Sequence, residues 1–484
     1  MEPAQELTNE RPLIPDVLAH RYASRAMLDI WSPRGRVLQE RRLWVAVMRA
    51  QRTLGVDIPP EAVAAYEGVL EQIDLDSIER RERASRHDVK AKIEEFNALA
   101  GHEHIHKGMT SRDLTDNVEQ LQMRQGMALL HGKTAAALVQ LAKRAEEYAT
   151  TPLVARTHHV PAQPTTLGKR LAMFGEGLLR AYTALGQTLQ SYPLRGIKGA
   201  VGTRLDQLSL MGGRAGDVDR LEQAIASELG FASVLGAVGQ VYPRSLDFEV
   251  LSAMYQVGAP LSDFARTMRL MTGHELASEG FAEGQVGSSA MPHKMNARSS
   301  ERINGFQSIL AGFLEMAGRL AGDQWNEGDV SCSVVRRVAL PGAMFALDGA
   351  LETFITIMDE MKAFEPMMAQ EMQRVLPFVA STTLMMEAVK AGGGREEMHH
   401  IIREHSVAVA MGLRDGTVQE NDLARRLGQD AGFPLDTAAI EAVLADPARF
   451  NGDAPAQTAD FAARARQATA EYPQAASYRP DPIL

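Results

Sequence analysis

Cysteine is almost missing from this 484-residue chain: Cys332 stands alone. One thiol can form neither an internal disulfide nor a cysteine-rich metal cluster, and a reducing, cytoplasmic setting is expected. Aromatic residues make up only 6%. No uninterrupted apolar run reaches the length of about 18 residues that a membrane span needs, so no membrane partner is expected. A cationic excess is lacking too. Lys and Arg total 51 against 61 Asp and Glu, a formal net charge of −10. A general nucleic-acid binder shows the opposite balance, so nucleic acid is not an expected partner. An anionic small molecule is not excluded, because a local basic pocket can sit in an acidic protein. The first residues are polar and acidic, with no apolar core of a secretory signal.

What is present favours helices. Apolar residues are 45% and charged residues 23%, with 24 Met. Ala and Leu are frequent, and β-branched and aromatic residues are sparse. In 135–148, Leu138, Leu141, Ala142, Ala145 and Tyr148 recur at steps of three and four. In 299–320, Ile303, Phe306, Leu310, Phe313, Ala317 and Leu320 do the same. This spacing predicts helices packed lengthwise in a bundle, and an all-α fold. Residues 1–112 read as an N-terminal domain of shorter helices, 113–364 as a central long-helix domain, and 365–484 as a C-terminal helical domain. Sustained apolar seams lead us to expect a homo-oligomer. The last dozen residues read as a surface tail, and Arg336-Arg337 alone as a solvated pair.

Four segments break the helical pattern. The first holds Arg86-His87-Asp88 and then 102–113, with His102, Glu103, His106, Thr110, Ser111, Arg112 and Asp113. The second is 156–166, beginning Arg156-Thr157-His158-His159. The third is 284–296, with Gly287-Ser288-Ser289-Ala290-Met291-Pro292-His293-Lys294-Met295-Asn296, followed by Ser299-Ser300-Glu301 at a helix start. The fourth runs from Trp325 to Ser333 and Arg337. His102, Glu103 and His106 fit H-E-x-x-H, but the flanking Gly101 and Gly108 make a poor helix for zinc, and no metal is expected. The histidines there are either loop-wall groups or substrate contacts. The serine-rich loop is either a capped connection or a mobile lid carrying a Ser and a Lys over an anion. His158 is either a structural hydrogen-bonding group or part of an anion site.

The string 287–296 resembles the signature loop of the fumarase/aspartase superfamily. Arg86-His87-Asp88, Thr110-Ser111-Arg112-Asp113 and Arg156-Thr157-His158, in this order, resemble its adenylosuccinate lyase branch. The resemblance implies an all-α homotetramer with a twenty-helix core and active sites shared among three subunits. It also implies the reaction: elimination of fumarate from adenylosuccinate, giving AMP, and from the succinyl-carboxamide SAICAR, giving AICAR, in purine biosynthesis. The runner-up readings are another lyase of the superfamily, such as argininosuccinate lyase or a cycloisomerase, and a non-catalytic helical scaffold on this fold.

By position in these motifs, the resemblance implies Ser288 as general base and His158 as general acid. Ser289 neighbours the base. His87 and His106 line the site. Lys294, Asn296 and Glu301 hold the succinyl part or the closed loop. Arg21, Tyr22, Arg86, Asp88, Thr110, Ser111, Gln240, Ser333 and Arg337 contact the nucleotide or succinate. No cofactor is implied. Many relatives carry an Arg after the Glu of the fourth segment, where it binds phosphate; this chain has Gly328. Arg337, Arg336, Arg21 and Arg244 are the candidates left for that task.

Overall fold

The computed structural model describes residues 15–280, 291 and 293–481. The chain opens with short helices: α1 (Val17–Arg21), α2 (Arg25–Trp31), α3 (Pro33–Thr53), α4 (Pro60–Gly68), α5 (Leu75–Ser85) and α6 (Asp88–Ala100). Their starts are local chemistry. Ser32 caps α3 by accepting the Gly35 N–H at 3.0 Å, with Pro33 in the first turn, and Asp74 caps α5 through the Ser77 N–H at 2.9 Å.

Helix α7 (Ser111–Glu147) is 37 residues long and starts with a capping box between Thr110 and Asp113. A hairpin follows, β1 (Pro152–Thr157) paired antiparallel with β2 (Val160–Thr166), and α8 (Leu167–Ser191) returns along α7. After α9 (Leu205–Leu210) and α10 (Ala215–Glu228) come α11 (Ser245–Gly273), β3 (Ala277–Ser278), α12 (Arg298–Leu320) and α13 (Cys332–Glu360). Helices α7, α8, α11, α12 and α13 pack lengthwise, as the seam spacing predicts. Helix α11 continues through Pro260 and stops at Gly273.

Polar links fix the directions of the long helices. Arg112 meets Ser333, Arg336 meets Glu119, Lys133 meets Asp348 and Glu352, and Arg144 donates to the Met358 carbonyl. Helix α13 therefore runs parallel to α7. Arg244, at the head of α11, reaches Asp116 of α7. The N-termini of α7, α11 and α13 thus gather at one end of the bundle. Among the described residues α13 alone is long and apolar enough to cross a membrane, and 89% of its apolar window is buried in the protein. Its hydrophobicity serves the core.

The last quarter holds β4 (Lys362–Ala363), which pairs with β3, then α14 (Glu365–Val379), α15 (Ser381–Lys390), α16 (Arg395–Asp415), α17 (Leu423–Gln429), α18 (Thr437–Leu444) and α19 (Ala454–Ala468). Helices α15 to α18 share a small apolar core of their own around Leu384, Ile402, Leu423 and Ile440. Helix α19 instead returns to pack on α7 and α8. The Phe461 ring lies against Gly175, where a Cβ would come within 2.0 Å of it, so only glycine allows this approach. The segment beyond α19 lies on the surface as its composition suggests, but it is pinned: Ala475 is buried and the Tyr478 hydroxyl reaches the buried Glu352.

Candidate active site

The end of the bundle where α7 begins collects most of the predicted binding residues. Arg86 ends α5 in a left-handed conformation with φ 54°, and His87 caps α6, its Nδ1 accepting the Lys90 N–H at 3.2 Å. His87 and Asp88 stay half-exposed. His106 stands on irregular backbone at φ 63°, so the helix turn needed by H-E-x-x-H is not formed. Its Nδ1 accepts the Trp44 Nε1–H at 3.0 Å, which places the proton of the neutral ring on Nε2. Burial holds His106 down to about 4, below its ordinary 6.5, and the nearby His87 adds to the effect. Thr110 and Ser111 form the first turn of α7.

Next to them, Arg112 donates to Asp116 at 3.2 Å and to the Ser333 Oγ at 3.0 Å. Asp116 also accepts from Arg244 at 3.2 Å. One buried carboxylate thus faces two guanidiniums. Arg244 lies over the Tyr242 ring at 4.4 Å, and its Nε and Nη1 find no hydrogen-bond partner among the described residues. The Gln240 N–H donates to the Glu327 carbonyl at 2.7 Å, tying the fourth segment to the same place. Arg337 is exposed there. Arg336 is a correction to the solvated pair. It is buried on Asp247 at 2.7 Å and on Glu119 and Tyr242, so each of its three nitrogens is engaged inside the core.

The opposite end holds a cavity of about 1070 Å³, lined by His159, Arg266, Arg269, Lys294, Asn296 and Glu301 among others. Ser288 and Ser289 lie outside the described residues. The buried Glu279, not foreseen in the sequence, clamps the start of α12. Its carboxylate accepts the N–H groups of Ser299 and Ser300 at 2.8 and 2.9 Å and the Ser300 hydroxyl at 3.0 Å. A carboxylate there also complements the helix dipole. His158 and His159 form the tip of the hairpin with φ 52° and 63°, the left-handed pair a two-residue turn demands. His158 is exposed, and its neighbour His159 faces the cavity. Tyr22 packs edge-on against Phe306 at 5.1 Å, with Arg302 over its ring at 5.5 Å, so Arg21 and Tyr22 belong with the first turns of α12.

The two groups are far apart in one chain. Thr110 precedes α7 and the hairpin follows it; at 1.5 Å rise per residue, that helix separates them by about 55 Å. Within a single copy, His158 therefore does not join His87, His106, Thr110 or Ser111.

Known proteins match this arrangement. The family profile described as Lyase covers residues 21–312, and the profile Adenylosuccinate lyase C-terminus covers 377–461. Adenylosuccinate lyase of Saccharomyces cerevisiae is 32% identical over 92% of this chain and 93% of its own length, and that of Schistosoma mansoni is 31% identical over the same shares. The crystal structure of 3-carboxy-cis,cis-muconate lactonizing enzyme from Pseudomonas putida superposes with a TM-score of 0.78, covering 94% of this chain and 100% of that one. At 23% identity it shows the shared fold. The long-helix bundle with its motifs in this order defines a lyase of the fumarase/aspartase superfamily. Within that superfamily, the chain belongs to the adenylosuccinate lyase family.

Proposed function

We propose that this protein cleaves adenylosuccinate to AMP and fumarate, and SAICAR to AICAR and fumarate. The observation that carries the reading is the end-to-end likeness to adenylosuccinate lyases, over 92% of the chain. The chemistry asks for particular groups. Loss of a proton beside a carboxylate leaves an aci-carboxylate with two negative charges, which fixed cations must offset. Ser288 takes that proton, with Lys294 lowering the cost of charge on its oxygen. The C–N bond breaks, and His158 gives its proton to the leaving nitrogen. The exposed hairpin tip suits a group that must reach into another copy's cleft. The separation of about 55 Å along α7 supports sites shared between subunits of a homotetramer, since one substrate cannot touch both ends of one chain.

The nucleotide phosphate is assigned to the α7 end. Three helix N-termini meet there, each a positive dipole end. Arg112 is 12% exposed and already aligned on Ser333, and Arg337, four residues after Ser333 on α13, is open to solvent. Arg112 thus takes the task that the family gives to an Arg at the Gly328 position. A cytoplasmic setting fits the single buried thiol.

The deciding measurement is fumarate release by the purified protein, with adenylosuccinate and argininosuccinate supplied separately. Release from adenylosuccinate without added metal is expected. A flat adenylosuccinate trace beside a positive argininosuccinate trace would replace this reading with the other lyase, and two flat traces would leave a non-catalytic scaffold.

A further inference from the structure

Three charged side chains are buried where α7 meets α13: Lys133, Asp348 and Glu352. Lys133 pairs with both carboxylates, so the group carries one excess negative charge. Charges this deep persist only when their remaining lone pairs are satisfied. The donors come from two distant parts of the chain. Asp348 accepts the Ser24 N–H at 2.6 Å, and Lys133 donates to the Ser24 Oγ at 2.8 Å. Glu352 accepts the Tyr478 hydroxyl and, at 2.9 Å, the Asp481 N–H. The two parts then meet directly, because the Asp481 carboxylate accepts the Arg25 N–H at 3.0 Å.

Ser24 is the N-cap of α2 and Arg25 its first residue. The first N–H groups of a helix have no partner within it, and α2 has only seven residues to hold itself in place. Its start is therefore fixed from outside, by Asp348 and by Asp481. Two residues upstream is Tyr22, held on its other side by Phe306 and Arg302. The later segment has its own anchor. The Tyr472 hydroxyl bonds the Nδ1 of the buried His131 at 2.8 Å, and that ring stacks on Tyr182 at 4.1 Å, whose hydroxyl donates to Glu471 at 2.9 Å.

We propose that residues 471–481 form a strap that positions Arg21 and Tyr22 for the substrate. The strap closes the first turn of α2 through Asp481 and completes the hydrogen bonding of Glu352 through Tyr478. It rests on the reading of Arg21 and Tyr22 as substrate contacts. Asp481 and Tyr478 act as positioning residues, since neither is placed against the substrate.

The test uses the full chain with Asp481→Ala, Asp481→Asn and Tyr478→Phe. Asp481 is exposed, so its replacement leaves the core packed. Two quantities are read: KM and kcat for fumarate release from adenylosuccinate, and amide hydrogen exchange across residues 18–28. Asp481→Ala and Tyr478→Phe are each expected to speed exchange there and raise KM about 3- to 10-fold with kcat within about 2-fold, the scale of a lost cap. Asp481→Asn keeps an acceptor for the Arg25 N–H and should restore both values. Unchanged exchange, or faster exchange with unchanged KM, overturns the strap. Absence of turnover in the unsubstituted protein would instead count against the proposed function, while the exchange data would still decide whether the strap holds α2.

Discussion

Arg112 and Ser333 meet across the bundle, Nη2 to Oγ at 3.0 Å, and each is the second residue of its long helix. The contact locks the N-termini of α7 and α13 side by side. Asp116 holds the same guanidinium from behind, so its planar face is set before any ligand arrives. An arginine fixed in this way loses little freedom on binding an anion.

Replacing Arg112 with Ala should raise KM for adenylosuccinate about 10- to 100-fold, the worth of a charge-assisted hydrogen bond of ~1.5–3 kcal/mol. Arg112→Lys should fall between, because a single ammonium cannot serve Asp116, Ser333 and a phosphate from one plane. The discriminating comparison is inorganic phosphate as a competitive inhibitor. It should lose affinity in step with the substrate; unchanged inhibition would remove Arg112 from the phosphate site.

Gly328 cannot simply be turned back into the arginine that relatives carry. Its φ is +136°, and a Cβ would stand 2.9 Å from the Val241 Cγ2. Both the backbone conformation and the space demand glycine. Gly328→Arg should therefore destabilise the protein by about 1–3 kcal/mol, seen as a lower urea midpoint. It should also fail to rescue Arg112→Ala. A rescued KM would show that the loop can adopt the relatives' conformation.

The long helices were legible because their period is local: the seams in 135–148 and 299–320 lie within α7 and α12. The hairpin was hidden, since Pro161 and Pro164 interrupt any alternation and its tip uses two histidines where Asn-Gly is usual. Arg336 was misread as a solvated pair with Arg337 because its partners Glu119 and Asp247 are 217 and 89 residues away. Arg112 was visible only as one letter of a motif. Its meaning depends on Ser333, 221 residues on. The candidate site residues come from the motifs, while the distance between His158 and the α7 end needs the fold.

Stability should fall on acidification through the range set by His106. Above pH 6.5 its ring is neutral whether the chain is folded or not. Below that, the unfolded chain binds a proton that the folded chain refuses until about pH 4, because the ring is buried and its Nδ1 is occupied by Trp44. The state that binds more protons gains as pH drops, so folding weakens between pH 6.5 and 4. Asn at position 106 tolerates the left-handed backbone and offers an acceptor to Trp44. His106→Asn should flatten part of the slope in urea unfolding measured from pH 7 to 4. The buried His131 and, beside Lys107, His104 are also held below their usual values, first by burial, and contribute to the remainder. An unaltered slope would mean that His106 titrates alike in both states.

Two inactive variants should repair each other when mixed. His158 lies at an exposed hairpin tip, so His158→Asn, which suits a φ of 52°, should leave the fold intact and lower kcat by more than about 10²-fold, the usual scale of acid catalysis. Ser288→Ala should do the same through the base. Each variant still carries the group the other has lost. If sites form between copies, unfolding and refolding the two together gives mixed oligomers in which some sites draw an intact His158 from one subunit and an intact Ser288 from another. Activity should then return to a fraction of that of the unsubstituted protein, greatest when the two variants are mixed in equal amounts. If each chain served its own site, every site would lack one group and no mixture would regain turnover. The length of α7, about 55 Å at 1.5 Å per residue, already sets the binding residues around its N-terminus apart from the hairpin. Complementation would establish whether the acid and the base are likewise supplied by different copies.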